Sequence, residues 1–212
     1  MKTLDKNRTK LKDADVRTKL NQLLIDCLNN QRIIDHKPSR IIPEFTINSG
    51  DARVDIATIN GKICGYEIKS DADTLERLPS QIKEYNKVFD EMTLVVGKKL
   101  FYGALDIVPN WWGIIFFEES PDKDINLYKI RECKQNPNQS FVNLLNLLRK
   151  DELIEVCKTH NVHNYSSLNK ESLCTKICND INHSTVSSIV RKFIIANRKS
   201  DRSDQLSSLC GA

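Results

Sequence analysis

The chain has little that would hold it in a membrane or export it. Its longest wholly apolar runs are a few residues, such as Ile114–Phe117, against the roughly 20 that a membrane-spanning helix needs. The opening residues, Met1-Lys-Thr-Leu-Asp-Lys-Asn-Arg8, are charged and lack the apolar stretch of a signal peptide. Lys150-Asp-Glu-Leu153 spells an endoplasmic-reticulum retention signal, but it is internal and so cannot act as one. Glycine (7) and proline (6) are scarce and there is no internal repeat, which excludes collagen-like and low-complexity architectures. The seven cysteines are odd in number and scattered. Without an export signal they read as reduced thiols, so the expectation is a cytoplasmic protein with no membrane attachment. Gly-rich phosphate loops and Ser/His/Asp arrangements are also missing. The spacing of Cys157, His160, His163, Cys174 and Cys178 does not match structural zinc pairs. Cys174 and Cys178, four residues apart, read instead as small hydrophobes on a helix.

What is present is 212 residues, 40% hydrophobic and 28% charged. That suits one good-sized domain, or a domain with a small appendage. A net charge of +4 is compatible with a nucleic-acid partner without requiring one. The bases gather at the ends: Lys2, Lys6, Arg8, Lys10 and Lys12, then Arg191, Lys192, Arg198, Lys199 and Arg202. They read either as solvated termini or as arms that track phosphates.

Hydrophobic spacing predicts a mixed α/β domain over residues 1–134 and a helical region over 135–212. Val16, Leu20, Leu23, Leu24 and Cys27 recur at three- and four-residue steps, predicting a helix over 13–29 with Asp13 or Asp15 as its cap. Pro38 and Pro43 break the chain before Phe45. Residues 52–59 and 62–70 alternate around Asn60-Gly61, a strong hairpin signal. A helix from Asp73 to Asp90 follows, with Asp73 as N-cap and Glu76 completing a capping box. Met92–Val96, Ile114–Phe117 and Ile125–Ile130 are strand candidates. After the polar linker Lys134–Ser140 only helices are predicted, over 140–148, 150–160, 169–181 and 184–197. A helical unit of that size is near the limit for an independent core, so it is expected to pack on the first domain.

Chemistry concentrates in Arg53-Val-Asp55 and, eleven residues after Asp55, Glu67-Ile-Lys69. Two carboxylates on adjacent strands can chelate Mg²⁺, a hard ion that prefers oxygen ligands. A lysine beside them can orient a water and offset charge in a phosphoryl transition state. An acid-x-Lys match alone says nothing, because about three are expected by chance in such a composition. Three occur: Asp35-His-Lys37, Glu67-Ile-Lys69 and Glu132-Cys-Lys134. Of these, Glu67-Ile-Lys69 closes a hairpin whose other arm bears an acid.

Register decides whether the acids can meet. Glu67 and Lys69 share a strand face. A two-residue Asn60-Gly61 turn would pair Asp55 with Tyr66 and send Asp55 to the opposite face. A three-residue loop, Ile59-Asn60-Gly61, would pair Asp55 with Gly65 and bring Asp55, Glu67 and Lys69 to one face, with Gly61 left-handed. In that register Gly65 would leave room for an ion. A catalytic role therefore predicts the bulged hairpin, or a local distortion near Asp55. Glu44 can supply a further carboxylate. Gln81 and Tyr85 share the inward face of the next helix, where a buried amide needs a partner such as an acid or a phosphate.

The run from Glu44 through Arg53-Val-Asp55, Gly65-Tyr-Glu67-Ile-Lys69, Asp73, Arg77, Gln81 and Tyr85 to Asp90 resembles the PD-(D/E)XK nuclease superfamily. More narrowly, with Pro109-Asn-Trp-Trp-Gly113 and Leu148–Leu153, it is similar to an uncharacterised bacterial and phage family of that superfamily. The likeness covers roughly residues 13–200. It implies a restriction-endonuclease-like mixed four-stranded sheet flanked by helices, and Mg²⁺-dependent hydrolysis of phosphodiester bonds, usually in DNA, with Mn²⁺ as a substitute. Asp55 and Glu67 correspond to the metal-binding acids and Lys69 to the catalytic lysine. Gln81 and Tyr85 match the RecB-like Gln-x-x-x-Tyr motif, in which both contact substrate. Glu44 corresponds to an accessory acid that in many relatives lies on the first helix. Val54 replaces the proline of the superfamily's name, a common departure.

The expected site is thus Asp55, Glu67, Lys69 and Gln81 as catalytic residues. Asp55, Glu67, Glu44 and the Ile68 carbonyl are expected on the metal, and Tyr85, Arg53 and Arg77 on nucleic acid. Each has a plainer reading: a surface ion pair for the hairpin acids, a helix–sheet packing pair for Gln81 and Tyr85, solvated surface for the arginines. Asp71 and Asp73 read as turn and cap residues, and Trp111 and Trp112 as core. Family analogy suggests phage defence, mobile-element biology or DNA repair. The alternatives are a non-cleaving nucleic-acid-binding module and an adaptor whose C-terminal helices bind a partner or complete a homodimer.

Overall fold

The computed structural model describes residues 13–35, 38–47, 50 and 52–197. Both runs of terminal bases lie outside these residues, apart from Arg191 and Lys192. Six strands form one sheet in sequence order: β1 (Arg40–Ile47), β2 (Ala52–Ile59), β3 (Ile63–Lys69), β4 (Glu91–Gly97), β5 (Gly113–Glu119) and β6 (Ile125–Arg131). β1, β2 and β3 are antiparallel neighbours, β3, β4 and β5 run parallel, and β6 returns antiparallel to β5. The parallel steps need crossovers, supplied by α2 (Leu78–Tyr85) and α3 (Phe101–Ile107). The expected mixed α/β architecture is present, with six strands rather than four.

Each face of the sheet has its own helical cover. α1 (Asp13–Asp35) lays Val16, Leu20 and Leu24 on Ile41, Ile56, Ile68, Val95 and Ile115. The other face, which carries Ile42, Val54, Ile63, Leu94 and Val96, shares one apolar cluster with Leu78, Ile82 and Tyr85 of α2 and with the C-terminal helices. β4 is buried along almost its whole length, as a central parallel strand covered on both faces should be.

The C-terminal helices are α4 (Phe141–Leu145), α5 (Lys150–Thr159), α6 (Lys170–Asp180) and α7 (His183–Asn197). Their starts follow from short polar caps: Ser140, Asn169 and Asn182 accept hydrogen bonds from the backbone of Asn143, Ser172 and Thr185. Leu144, Leu148, Leu153, Cys157 and Cys174 are buried in the same cluster as the sheet, and Cys178 packs against it. The linker is stitched to the sheet domain: the Asn136 amide donates to the Asn86 and Phe89 carbonyls, and Gln139 donates to that of Val88.

Four local expectations need correction. Strand β1 runs straight through Pro43, which is paired with Ile56. An edge strand tolerates proline because one side of its backbone has no ladder to fill. The second helix starts at Leu78, with Arg77 at its N-cap and Pro79 in its first turn. Asp73 instead accepts from the Ser70 backbone and hydroxyl at 2.7 and 2.6 Å, closing the turn after β3. The hairpin loop is the three residues Asn60-Gly61-Lys62, one step later than expected, with Ile59 paired to Ile63. Finally, Gly65 pairs with Ala57 rather than Asp55. It leaves no room for an ion, because a Cβ there would stand 2.4 Å from the Met92 sulfur.

The shifted loop keeps the parity that matters, since three residues are still looped out. Gly61 holds φ +68°, a conformation that L side chains adopt at a cost. Gly61→Ala should lower stability by about 1 kcal/mol, measured by urea titration, without changing the strand register.

Candidate functional site

The β2–β3 ladder ends at the pair Ile56–Tyr66. One step further, the same register would set Asp55 across from Glu67. There the ladder gives way to a side chain: the Asp55 Oδ2 accepts from the Ile68 backbone N–H at 2.7 Å. The distortion extends to the other neighbour. Between the pairs Pro43–Ile56 and Phe45–Val54, Glu44 lies opposite Asp55 with φ +50°. A left-handed backbone at a non-glycine strand residue costs of order 1–3 kcal/mol. Val54 and Ala57, three residues apart, both join the α2-side core, so β2 switches faces across Asp55.

Glu67 and Lys69 point to the α2 side of β3 and are almost wholly buried, at 2% and 6% exposure. Lys69 Nζ donates to Glu67 Oε1 at 2.6 Å. Gln81 Nε2 donates to the same oxygen at 2.6 Å, and the Tyr85 hydroxyl lies 2.8 Å from Oε2 and 2.7 Å from the Arg53 carbonyl. Burial raises the Tyr85 pKa, and the charge of Glu67 raises it further, so the hydroxyl remains a proton donor. Gln81 Nε2 also lies 3.3 Å from that hydroxyl, while Gln81 Oε1 is buried with no hydrogen-bond partner. Tyr85 is fully buried and packs beside Trp112, ring centroids 6.2 Å apart. Trp112 is itself buried and donates to Asn86. Trp111 is 9% exposed.

A third carboxylate system sits at the rim. Arg17 of α1 reaches over the sheet edge: its Nη2 is 2.7 Å from Asp55 Oδ1, and its Nη1 bonds Glu44 Oε1. Arg53 Nε holds the other Glu44 oxygen at 2.6 Å. Asp55, Glu67, Lys69, Ile68, Glu44 and Gln81 therefore line one cleft of about 1060 Å³, whose walls also include Arg53, Arg77 and Lys83. Arg77 is exposed at the start of α2. All the residues expected at a site thus border one cavity except Tyr85, which lies behind Glu67.

Arg17 is the residue that sequence reasoning missed. It belongs to no motif, and its sequence neighbour Val16 belongs to the apolar stripe. Only the packing of α1 across β1–β3 brings its guanidinium to the acids.

The cleft's donors are hard oxygens. Two carboxylates, from Asp55 and Glu67, with the Ile68 carbonyl and Glu44 nearby, suit Mg²⁺, which commonly takes one or two carboxylates and completes its shell with water and phosphate. They do not form a closed cage, since no group of three or more His, Cys, Asp or Glu side chains converges for a metal among the described residues.

Fold and cleft together define a mixed α/β protein with a buried carboxylate–lysine pair at the floor of a polar groove. A family model, Bacteriophage P4 protein cII, matches residues 10–210, so the chain belongs to that family. It is similar to Protein cII of Enterobacteria phage P4, 26% identical over 133 residues that cover 63% of this chain and 50% of that protein. The match thus spans about half the length of this curated relative. No solved structure matches.

Proposed function

We propose that the protein is a Mg²⁺-dependent nuclease that hydrolyses phosphodiester bonds of DNA. One observation carries this reading. Glu67 and Lys69 form a buried pair on one face of β3, and Asp55 from the neighbouring strand lines the same cleft. Burying a charged pair is costly, and stability alone rarely favours it over apolar packing. A surface ion pair would need neither the burial nor the Gln81 and Tyr85 hydrogen bonds that fix Glu67.

In this reading Asp55, Glu67 and the Ile68 carbonyl would hold the ion, with Glu44 at the rim as a further carboxylate. When bound, Mg²⁺ supplies Lewis-acid polarisation of the phosphate and a more acidic water. The chain's own residues do the rest. Lys69 Nζ would orient the attacking water and offset charge in the transition state; as the water oxygen bonds to phosphorus and a P–O ester bond breaks, the water's proton passes to solvent and the leaving oxygen takes one from solvent. Gln81 fixes the orientation of Glu67 through its Nε2, at the wall of the cleft. Tyr85 acts as a positioning residue through Glu67, because no surface of it is open to DNA. Arg53 and Arg77 border the groove where a phosphate backbone would pass. Membership of a family named for a phage protein agrees with a role in mobile-element biology or phage defence.

The test is a digest of linear, circular, single-stranded and duplex DNA with Mg²⁺ or Mn²⁺, run beside Asp55→Asn. Wild type should cut only with metal, and Asp55→Asn should lose at least about 100-fold in rate. DNA binding without cutting under every condition would favour the non-cleaving module instead. Cutting that is indifferent to Asp55 would end the proposal.

A further inference from the structure

Every carboxylate oxygen of the rim has a partner within the protein. Asp55 Oδ1 is held by Arg17 and Oδ2 by the Ile68 N–H. The Glu44 oxygens are held by Arg17 and Arg53. At the floor, Lys69 faces Glu67. Three acids, Glu44, Asp55 and Glu67, are thus matched by three bases, Arg17, Arg53 and Lys69. The remaining charged residues of the described lining, Asp73 and Glu84 against Arg77 and Lys83, balance as well. A dication entering alone would leave the described lining with a net charge of +2 and would meet the Arg17 guanidinium at Asp55. A dication arriving with a phosphate diester would bring its own negative charge.

We propose that Arg17 is a resident counter-cation that a divalent ion must displace from Asp55, so that metal loads onto this cleft together with the substrate phosphate rather than ahead of it. This inference rests on the metal-binding reading of the cleft and adds a residue and an order of binding to it. Arg17 is suited to exchange. Its side chain is 20% exposed, it comes from a helix on the opposite face of the sheet from α2, and its contact to Glu44 can hold it at the rim while the Asp55 carboxylate is released. Once displaced, a guanidinium tethered beside the groove is positioned for a phosphate oxygen, which its planar fork matches. By linkage, a phosphate that tightens metal binding is itself bound more tightly when metal is present.

The experiment is a Mn²⁺ titration followed by electron paramagnetic resonance. It is run on the full chain with and without a phosphorothioate DNA oligonucleotide, and the oligonucleotide's own Mn²⁺ uptake is subtracted. Wild type should bind Mn²⁺ weakly alone and at least tenfold more tightly with the oligonucleotide. Arg17→Gln, which removes the resident charge, should bind Mn²⁺ alone at least tenfold more tightly than wild type and lose most of the gain from the oligonucleotide. Arg17→Lys should stay close to wild type. Circular dichroism and melting in EDTA establish that the variants are folded. Equal or weaker Mn²⁺ binding by folded Arg17→Gln would overturn the inference while leaving the metal reading intact. Binding that Asp55→Asn does not weaken, in either Arg17 background, would overturn both.

Discussion

Glu67→Gln and Lys69→Met should each lower stability by about 3–5 kcal/mol, the usual cost of leaving one member of a buried ion pair alone. For a chain of this size that is a fall in melting temperature of roughly 10 °C or more. The two side chains are 2.6 Å apart and almost fully buried, so a remaining charge is poorly solvated even though it borders the cleft. Glu67→Gln strands the Lys69 ammonium and weakens the acceptor used by Gln81 and Tyr85. Lys69→Met strands the Glu67 carboxylate, which keeps the Gln81 and Tyr85 hydrogen bonds and should therefore be the milder of the two. The double variant removes both charges and should recover most of the loss, giving a coupling energy well above that of a surface pair. If the proposed function holds, both single variants also lose about 10²–10⁴-fold in cleavage rate, and the double variant recovers stability without recovering activity. Thermal melts and a double-mutant cycle provide the first readout, and the DNA digest the second. A cycle with no coupling would show that the pair is not buried as described.

Removing residues 135–212 should abolish cooperative folding of the remainder. The sheet domain looks self-contained in sequence, but its α2-side core is continuous with Leu144, Leu145, Leu148, Leu153 and Val156. Truncation would remove the helical part of that shared cluster, and would leave the Asn86, Val88 and Phe89 carbonyls without the Asn136 and Gln139 amides. Newly exposed apolar surface costs about 25 cal/mol per Å², and it is set against a total stability of only about 5–15 kcal/mol for a typical domain. The expected product of residues 1–134 is soluble only as a compact, loosely packed state, or aggregates. Near-ultraviolet circular dichroism and calorimetry would register the loss of a sharp transition. A cooperative melt from residues 1–134 alone would instead define the C-terminal helices as a separable unit, and would revive the adaptor reading.

Much of the architecture was legible from patterning, for physical reasons that can be named. α1 was visible because its stripe faces a single sheet surface, and α5, α6 and α7 because their starts carry short polar side chains or acids that satisfy the first turn. Strand β1 was not visible, because proline is read as a breaker unless one knows that the strand lies at an edge. α3 was hidden because its seven residues bury little beyond Ala104. Asp73 and Glu76 imitate a cap and so predict too early a start for the helix after β3, whereas Asp73 closes a tighter turn with Ser70 and the helix begins at Leu78.

In the cleft, that Glu67 and Lys69 share a face follows from the order of residues alone, since strand geometry fixes the parity of i and i+2. So does the shared direction of Gln81 and Tyr85, since a helix returns after four residues. Whether Asp55 joins them depended on a loop whose length parity no local rule could settle. That three residues loop out, that the ladder breaks at Asp55, and that Arg17 crosses from the far face of the sheet to meet Asp55 and Glu44 are outcomes of the folded packing. Local periodicities are encoded by neighbours along the chain, whereas the meeting of a helix cation with a strand acid 38 residues away follows from how two apolar faces pack, and packing is a property of the whole fold.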